Sequence, residues 1–328
     1  MTGHPYQNVG VLSEMPPYLR GGVVAIGNFD GVHRGHQAVL QTAIEVARGL
    51  GVPAVALTFE PHPRALFQPD RPLPRITPPA MKALLIGLAG LDGTVVQDFT
   101  MDFANRTAEE FIDSVVLGTL GARHVVTGFD FHFGRRREGN PAYLVEAGRR
   151  KGFGVTQVES FTDENGEVVS SSRIRDLLGK GAVSEAAGLL GYRFTVEAEV
   201  VHGRKLGRTL GYPTANMVLP EPAVLGHGIY AVRLRRPDGT LHDGVASFGR
   251  RPTVESEGVP LLETFVFDFS GDLYREICRV SVFGFLRGEE KFESLSALNE
   301  QMKRDEDEAR ALLAGVRPLS ELDHRLTF

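Results

Sequence analysis

The feature that most narrows the possible folds is a short apolar run, Val23-Val24-Ala25-Ile26. It breaks into a glycine-rich turn and re-emerges as a helical pattern from about Gly35 to Leu50, ending at Gly51. Four consecutive apolar residues with no polar alternation read as a strand covered on both faces, and a helix directly after it reads as the crossover to a parallel neighbour. The same alternation recurs. Val55-Ala56-Leu57-Thr58, His124-Val125-Val126-Thr127 and Val155-Thr156-Gln157-Val158 are strand-like. Thr107-Ala108-Glu109-Glu110 is a capping box, in which hydroxyl and carboxylate reciprocally satisfy free backbone N–H groups, and it opens a helix running toward Leu120. The first half is therefore expected to be α/β, a parallel sheet flanked by helices that binds ligands at the carboxyl ends of its strands.

The texture changes after about residue 184. Segments 194–201, 229–235, 242–248, 263–269 and 276–283 are strand-like and separated by Gly, Pro and Asp turns, which predicts an antiparallel barrel. A last helix is expected over 293–314. With 328 residues, two domains are the natural division, placed at 1–184 and 185–328. The formal charge of −5 argues against a nucleic-acid-binding surface. Cys278 is the only cysteine, so no intramolecular disulfide can form, and a cytoplasmic location is expected. The N-terminus lacks a basic-then-apolar signal pattern. The most apolar stretch, Ala83 to Leu91, is about half the ~18 residues that would suggest a membrane span.

The turn after the first strand carries chemistry. Gly27-Asn28-Phe29-Asp30-Gly31-Val32-His33-Arg34-Gly35-His36 leads into a helix, whose free N–H groups suit phosphate. If that helix starts near Arg34, His33 and His36 project from about the same side. Two histidines so spaced also fit a metal pair, but no cysteine or further histidine stands nearby. Asp30 fits a loop-ordering role better than contact with substrate.

The segment resembles the His-x-Gly-His signature of the nucleotidyltransferase superfamily. Three further motifs, Phe59-Glu60-Pro61-His62-Pro63, Gly128-Phe129-Asp130-Phe131-His132-Phe133-Gly134 and Ser170-Ser171-Ser172-Arg173-Ile174-Arg175, resemble the adenylyltransferase half of prokaryotic bifunctional riboflavin kinase/FAD synthetases. The resemblance implies a Rossmann-like nucleotidyltransferase domain. His33 and His36 would be its catalytic residues. Gly27, Asn28, Gly35, Ser170, Ser171, Arg173 and Arg175 would bind ATP; Phe59, Pro61, Asp130, Phe131 and Phe133 would bind flavin. The attacking group would be the FMN phosphate, already an anion, so alignment and charge screening suffice and no general base is needed.

The second half has no Walker-type phosphate loop. It has instead Gly203-Arg204-Lys205-Leu206-Gly207-Arg208-Thr209-Leu210-Gly211-Tyr212-Pro213-Thr214-Ala215-Asn216, a glycine-spaced cationic segment followed by a hydroxyl and an amide oxygen suited to Mg²⁺. This resembles the riboflavin kinase module of the same family, an antiparallel β-barrel with a terminal helix. Gly203, Arg204, Lys205 and Gly207 would bind ATP, and Thr214 and Asn216 the metal. The resemblance places the catalytic base on Glu263, and the chemistry agrees, because a ribityl hydroxyl holds its proton at neutral pH. Two positions depart from the family pattern: Ser247-Phe248 where Asn-Ile is common, and Arg275 where Gly is usual. The expected partners are small molecules, namely riboflavin, FMN, FAD and ATP, with no nucleic acid and no membrane. A chain retaining one active module, a flavin-storing protein, and an adenylyltransferase for pantetheine phosphate or nicotinamide mononucleotide are the rival readings.

Overall fold

The structure is a computed structural model, which describes residues 5–202, 212, 214–253 and 256–328. The chain divides into two compact units, one of residues 1–73 with 77–170 and one of 74–76 with 171–328.

In the first unit, strands β1 (Gln7–Val9), β2 (Val23–Ile26), β3 (Ala54–Glu60), β4 (Gly93–Asp98), β5 (His124–Gly128) and β6 (Gly154–Val158) form one sheet in the order β1-β4-β3-β2-β5-β6. Every pairing in it is parallel. The strands expected from sequence are present. β1 and β4 were not expected: β1 has three residues, and β4 surrounds its Val95-Val96 pair with Gly, Thr, Gln and Asp. Helix α1 (Arg34–Leu50) buries Val39, Leu40, Ala43 and Ala47 along one stripe and ends at Gly51 with φ +64°, a left-handed stop that glycine takes without steric cost. Short helices α2 (Pro63–Phe67), α3 (Pro79–Leu88), α4 (Met101–Ala104) and α5 (Ala108–Phe111) follow, then α6 (Pro141–Lys151). The capping box at Thr107 and Glu110 is formed, and the helix it opens continues past α5 as a π-helix over Ile112–Thr119. From β2 the chain moves to β3 and β4 on one side and returns to β5 on the other. The order thus reverses between β2 and β5, where Ile26 is in register with Thr127. Crevices at such reversals are where open parallel sheets bind ligands.

The second unit begins with α7 (Ser171–Gly179) and α8 (Val183–Leu190). Strands β7 (Thr195–Val201), β8 (Thr214–Val218), β9 (Gly228–Arg235), β10 (Leu241–Thr253), β11 (Ser256–Val266) and β12 (Ile277–Arg287) then close a barrel in the order β10-β11-β8-β7-β12-β9. All its pairings are antiparallel. Four of these strands lie where the sequence pattern puts them; β11 begins and ends earlier than the expected 263–269, and β8 occupies part of the segment read as a ligand loop. Met217, Val232, Leu234, Ala246, Phe248, Leu262 and Val280 are all at most 1 % exposed, which fixes the alternate side chains of each strand as outward. Cys278 is buried, and loss of solvent pushes its thiol up to about 11, so it is an inert packing residue. Helix α9 (Leu295–Ala314) packs Ala309 and Leu313 against Ala231, Phe267 and Phe283. Arg310 on α9 reaches both oxygens of Asp268, at 2.8 and 3.1 Å. A last helix, α10 (Glu321–Thr327), was not anticipated; its buried Asp323 pairs with Arg193 and accepts the Arg193 and Leu319 N–H groups, each at 2.9 Å.

Candidate active sites

At the carboxyl end of β2 the chain turns through two non-glycine residues with positive φ, Phe29 (50°) and the β-branched Val32 (35°). That conformation is strained and has to be held by its surroundings. Asp30, 1 % exposed, is the clamp. Its Oδ1 accepts from Thr77 N at 3.0 Å, and Thr77 Oγ1 in turn accepts from Gly31 N at 2.8 Å. Asp30 therefore orders the loop, as the sequence suggested.

His33 is the N-cap of α1: its Nδ1 accepts the His36 backbone N–H at 3.3 Å. The rings of His33 and His36 stack at 3.7 Å between centroids, which is the shared side expected from their spacing. Because Nδ1 accepts, the proton of a neutral His33 sits on Nε2, which is then a donor. Gly35 has its own reason to lack a side chain: a Cβ there would lie 3.2 Å from the His33 ring. Asn28 is exposed, and its carbonyl accepts from Thr58 Oγ1 at 3.1 Å.

Sequence reasoning missed Lys82. It lies 1 % exposed on α3, and its ammonium reaches Glu60 Oε1 at 2.5 Å, Thr58 Oγ1 at 2.9 Å and Asn28 O at 3.4 Å. It thereby ties the loop after β2 to the end of β3. The available signal was a lone lysine inside the apolar run of α3.

Of the residues expected to meet flavin, Phe59 and Phe133 are each 7 % exposed and belong to the sheet's core. Phe131 is partly buried and stacks on Phe133 at 5.4 Å, while Asp130 and Pro61 are exposed. Two phenylalanines not singled out, Phe67 at 59 % and Phe129 at 44 %, present more open ring surface. Ser170 ends the first unit. Ser171, Arg173 and Arg175 belong to α7 in the second, where Arg175 Nε donates to Pro74 O at 2.9 Å.

In the barrel, β8 and β11 pair so that Asn216 faces Glu263 and Thr214 faces Phe265; on the other side of β11, Ser247 of β10 faces Glu263. Directly paired residues share a face, as do residues two apart on one strand. Thr214, Asn216, Glu263 and Ser247 therefore line one outward patch. Asn216 is 4 % exposed, and its Nδ2 donates to Thr214 O at 3.0 Å. Its Oδ1 is buried with no hydrogen-bond partner among the described residues. A buried amide oxygen without a partner is costly, and it points to a cation or donor that the described residues do not supply. Together with the Thr214 hydroxyl it offers hard oxygen donors that fit a divalent ion, and the Glu263 carboxylate stands on the same patch. Tyr212 meets the Phe265 ring at 4.7 Å beside this patch. Gly203, Arg204, Lys205 and Gly207 lie outside the described residues.

The family model for FAD synthetase matches residues 15–173, and that for riboflavin kinase matches residues 190–313. A bifunctional riboflavin kinase/FMN adenylyltransferase from Pseudomonas fluorescens is 40% identical over 94% of this chain and 98% of its own length. The Escherichia coli K12 protein of the same description is 37% identical over 94% and 97%. The chain belongs to the bifunctional riboflavin kinase/FMN adenylyltransferase family. Enzymes of these two classes use ATP and generally require a divalent metal ion. Among solved structures, a macrolide-efflux protein from Streptococcus pneumoniae superposes with a TM-score of 0.81 at 31% identity, over 93% of this chain and 98% of that one. Among the described residues no helix is long and apolar enough to cross a membrane.

Proposed function

We propose that this chain phosphorylates riboflavin to FMN with ATP and then adenylylates FMN to FAD, releasing pyrophosphate. Phosphorylation is assigned to residues 185–328 and adenylyl transfer to residues 1–184. The observation that carries the kinase assignment is the opposition of Asn216 and Glu263 across β8 and β11, with the Asn216 amide oxygen buried and unpartnered among the described residues. Thr214 and Asn216 hold Mg²⁺, which when bound screens the ATP phosphates. Glu263 accepts the proton of the ribityl hydroxyl as that oxygen attacks.

In the first unit, the stacked histidines at the start of α1 donate to the phosphates of ATP, and His33 does so through Nε2. Asn28 and Gly27 line the same turn, and Gly35 keeps it close. Ser170, and Ser171, Arg173 and Arg175 of the second unit, carry hydroxyl and guanidinium groups of the kind that bind a triphosphate. Phe131 offers ring surface to the isoalloxazine, with Asp130 and Pro61 at its edge; Phe59 and Phe133 support that surface from the core. The reactions belong in the cytoplasm, where ATP is available and Cys278 stays reduced.

The deciding experiment incubates the purified chain with riboflavin, ATP and Mg²⁺ and separates flavins chromatographically. FMN should appear first and FAD after it. Absence of FMN would remove the kinase assignment, and accumulation of FMN without FAD would remove the adenylyl-transfer assignment.

A further inference from the structure

Three consecutive exposed arginines, Arg135, Arg136 and Arg137, stand at the tip of a hairpin that the reactions above leave unused. The hairpin leaves the carboxyl end of β5, the strand next to β2 at the reversal of the sheet. Its base is fixed. Phe133 and Gly139 exchange backbone hydrogen bonds at 3.1 and 2.9 Å, and Arg135 N donates to Arg106 O at 2.7 Å. Glu138 Oε1 accepts from Ala108 N at 2.7 Å. Gly134, at φ +73°, presses so close to Ala108 that a Cβ would lie 2.6 Å from its nitrogen.

On this rigid base, Arg136 and Arg137 adopt φ of 54° and 61°. For a residue with a side chain, each such conformation costs ~1–2 kcal/mol, and glycine would adopt it freely. Strain of this kind, kept at the ligand end of a sheet, points to a use for the side chains it aims. Arg34 and Lys82, beside the histidine pair, are committed to Glu164 and Glu60. Arg137 lies 3.1 Å from His132 Nδ1. Arg135 and Arg136 make no ion pair among the described residues.

Adenylyl transfer brings together two anions, a triphosphate and a flavin phosphate carrying nearly two negative charges at neutral pH. Each needs its own cations, and guanidinium groups hold phosphate bidentately. The exposed Phe129 and the partly buried Phe131, to which the reading above assigns the isoalloxazine, lie in the same loop, a few residues before the arginines. We propose that the Arg135–Arg137 hairpin holds the phosphate of FMN, and so lets the first unit accept FMN and reject unphosphorylated riboflavin. This rests on the adenylyl-transfer reading above.

The test is steady-state FAD formation from supplied FMN and ATP, with the full-length chain and the variants Arg136→Gly, Arg136→Lys and Arg135→Ala/Arg136→Gly. Arg136→Gly removes the cation and relieves the strain together. It should raise the KM for FMN about tenfold or more while raising the thermal midpoint, with the KM for ATP and the rate of riboflavin phosphorylation unchanged. The double variant should raise the KM for FMN further, and Arg136→Lys should fall between wild type and Arg136→Gly. An unchanged KM for FMN beside a raised midpoint would overturn the proposal and leave a structural turn. A rise in the KM for ATP instead would assign the arginines to the triphosphate and overturn it too. A wild-type chain that forms no FAD would overturn the adenylyl-transfer reading itself, which is a different result from either.

Discussion

Glu263 carries the sharpest single-residue expectation. Glu263→Gln keeps the size and much of the hydrogen bonding but cannot take a proton from the ribityl hydroxyl. Riboflavin phosphorylation should fall by ~10²–10⁴, while FAD formation from supplied FMN stays near normal. Unchanged phosphorylation in the folded variant would withdraw the role. Asp268, the neighbouring carboxylate by sequence, is a poor substitute, because both of its oxygens are taken by Arg310, which also holds its carboxyl below the usual range. Arg275 gives a second expectation. The position where glycine is usual in the family has φ +68° here. Arg275→Gly should stabilise the chain by roughly 0.5–1 kcal/mol, the relieved strain less the extra freedom glycine gives the unfolded chain. A urea midpoint that falls or stays fixed would refute this. The other departure divides in two: Ser247 faces Glu263 on the outward patch, while Phe248, 1 % exposed, fills the barrel interior.

At the scale of elements, His33 caps the start of α1 and, in the function proposed above, also donates to phosphate; a substitution can separate the two duties. Asparagine is as good an N-cap as most, so His33→Asn should preserve the helix while removing the Nε2 donor. FAD formation should drop by ~10²–10³ with the thermal midpoint nearly unchanged, and FMN formation should be unaffected. Activity close to wild type would leave His33 as a cap alone. This turn was legible in the sequence because strand, glycines and helix are all local signals. β4 was not, since its apolar stretch is only two valines long between polar residues, and β8 was hidden by the Pro-Thr-x-Asn motif that sits on it. Lys82 escaped for the opposite reason: its three partners come from two other elements, and no local pattern encodes a long-range contact. The aromatic residues were legible from composition, but composition does not tell core rings such as Phe59 and Phe133 from open ones such as Phe67 and Phe129.

For the whole molecule, the division into units bears on how the chain can be cut. The expected boundary at 184/185 falls inside α8, whose Val183, Ala186, Ala187, Leu189 and Leu190 are buried. Gly226 N, beyond the barrel's second strand, donates to Leu178 O at 2.8 Å, so α7 also braces this unit. A fragment of residues 171–328 should therefore make FMN and no FAD. A fragment of 185–328 should do so with a lower urea midpoint, having lost α7 and the first two residues of α8. Equal midpoints would show that these helices contribute nothing to the barrel. The pairing of Asn216 with Glu263 has a consequence for how such a chain can vary over evolutionary time. Along a strand, neighbouring side chains point to opposite sides, so deleting a single residue just before Glu263 turns the acid toward the apolar interior and brings Thr264 outward, and deleting Ala215 puts Thr214 and Asn216 on opposite faces. A closed barrel has no loose edge at which the slip can be absorbed. Substitutions can accumulate across β8 and β11, but changes in their length cannot, and gaps in these two strands should be absent from any relative that still phosphorylates its substrate.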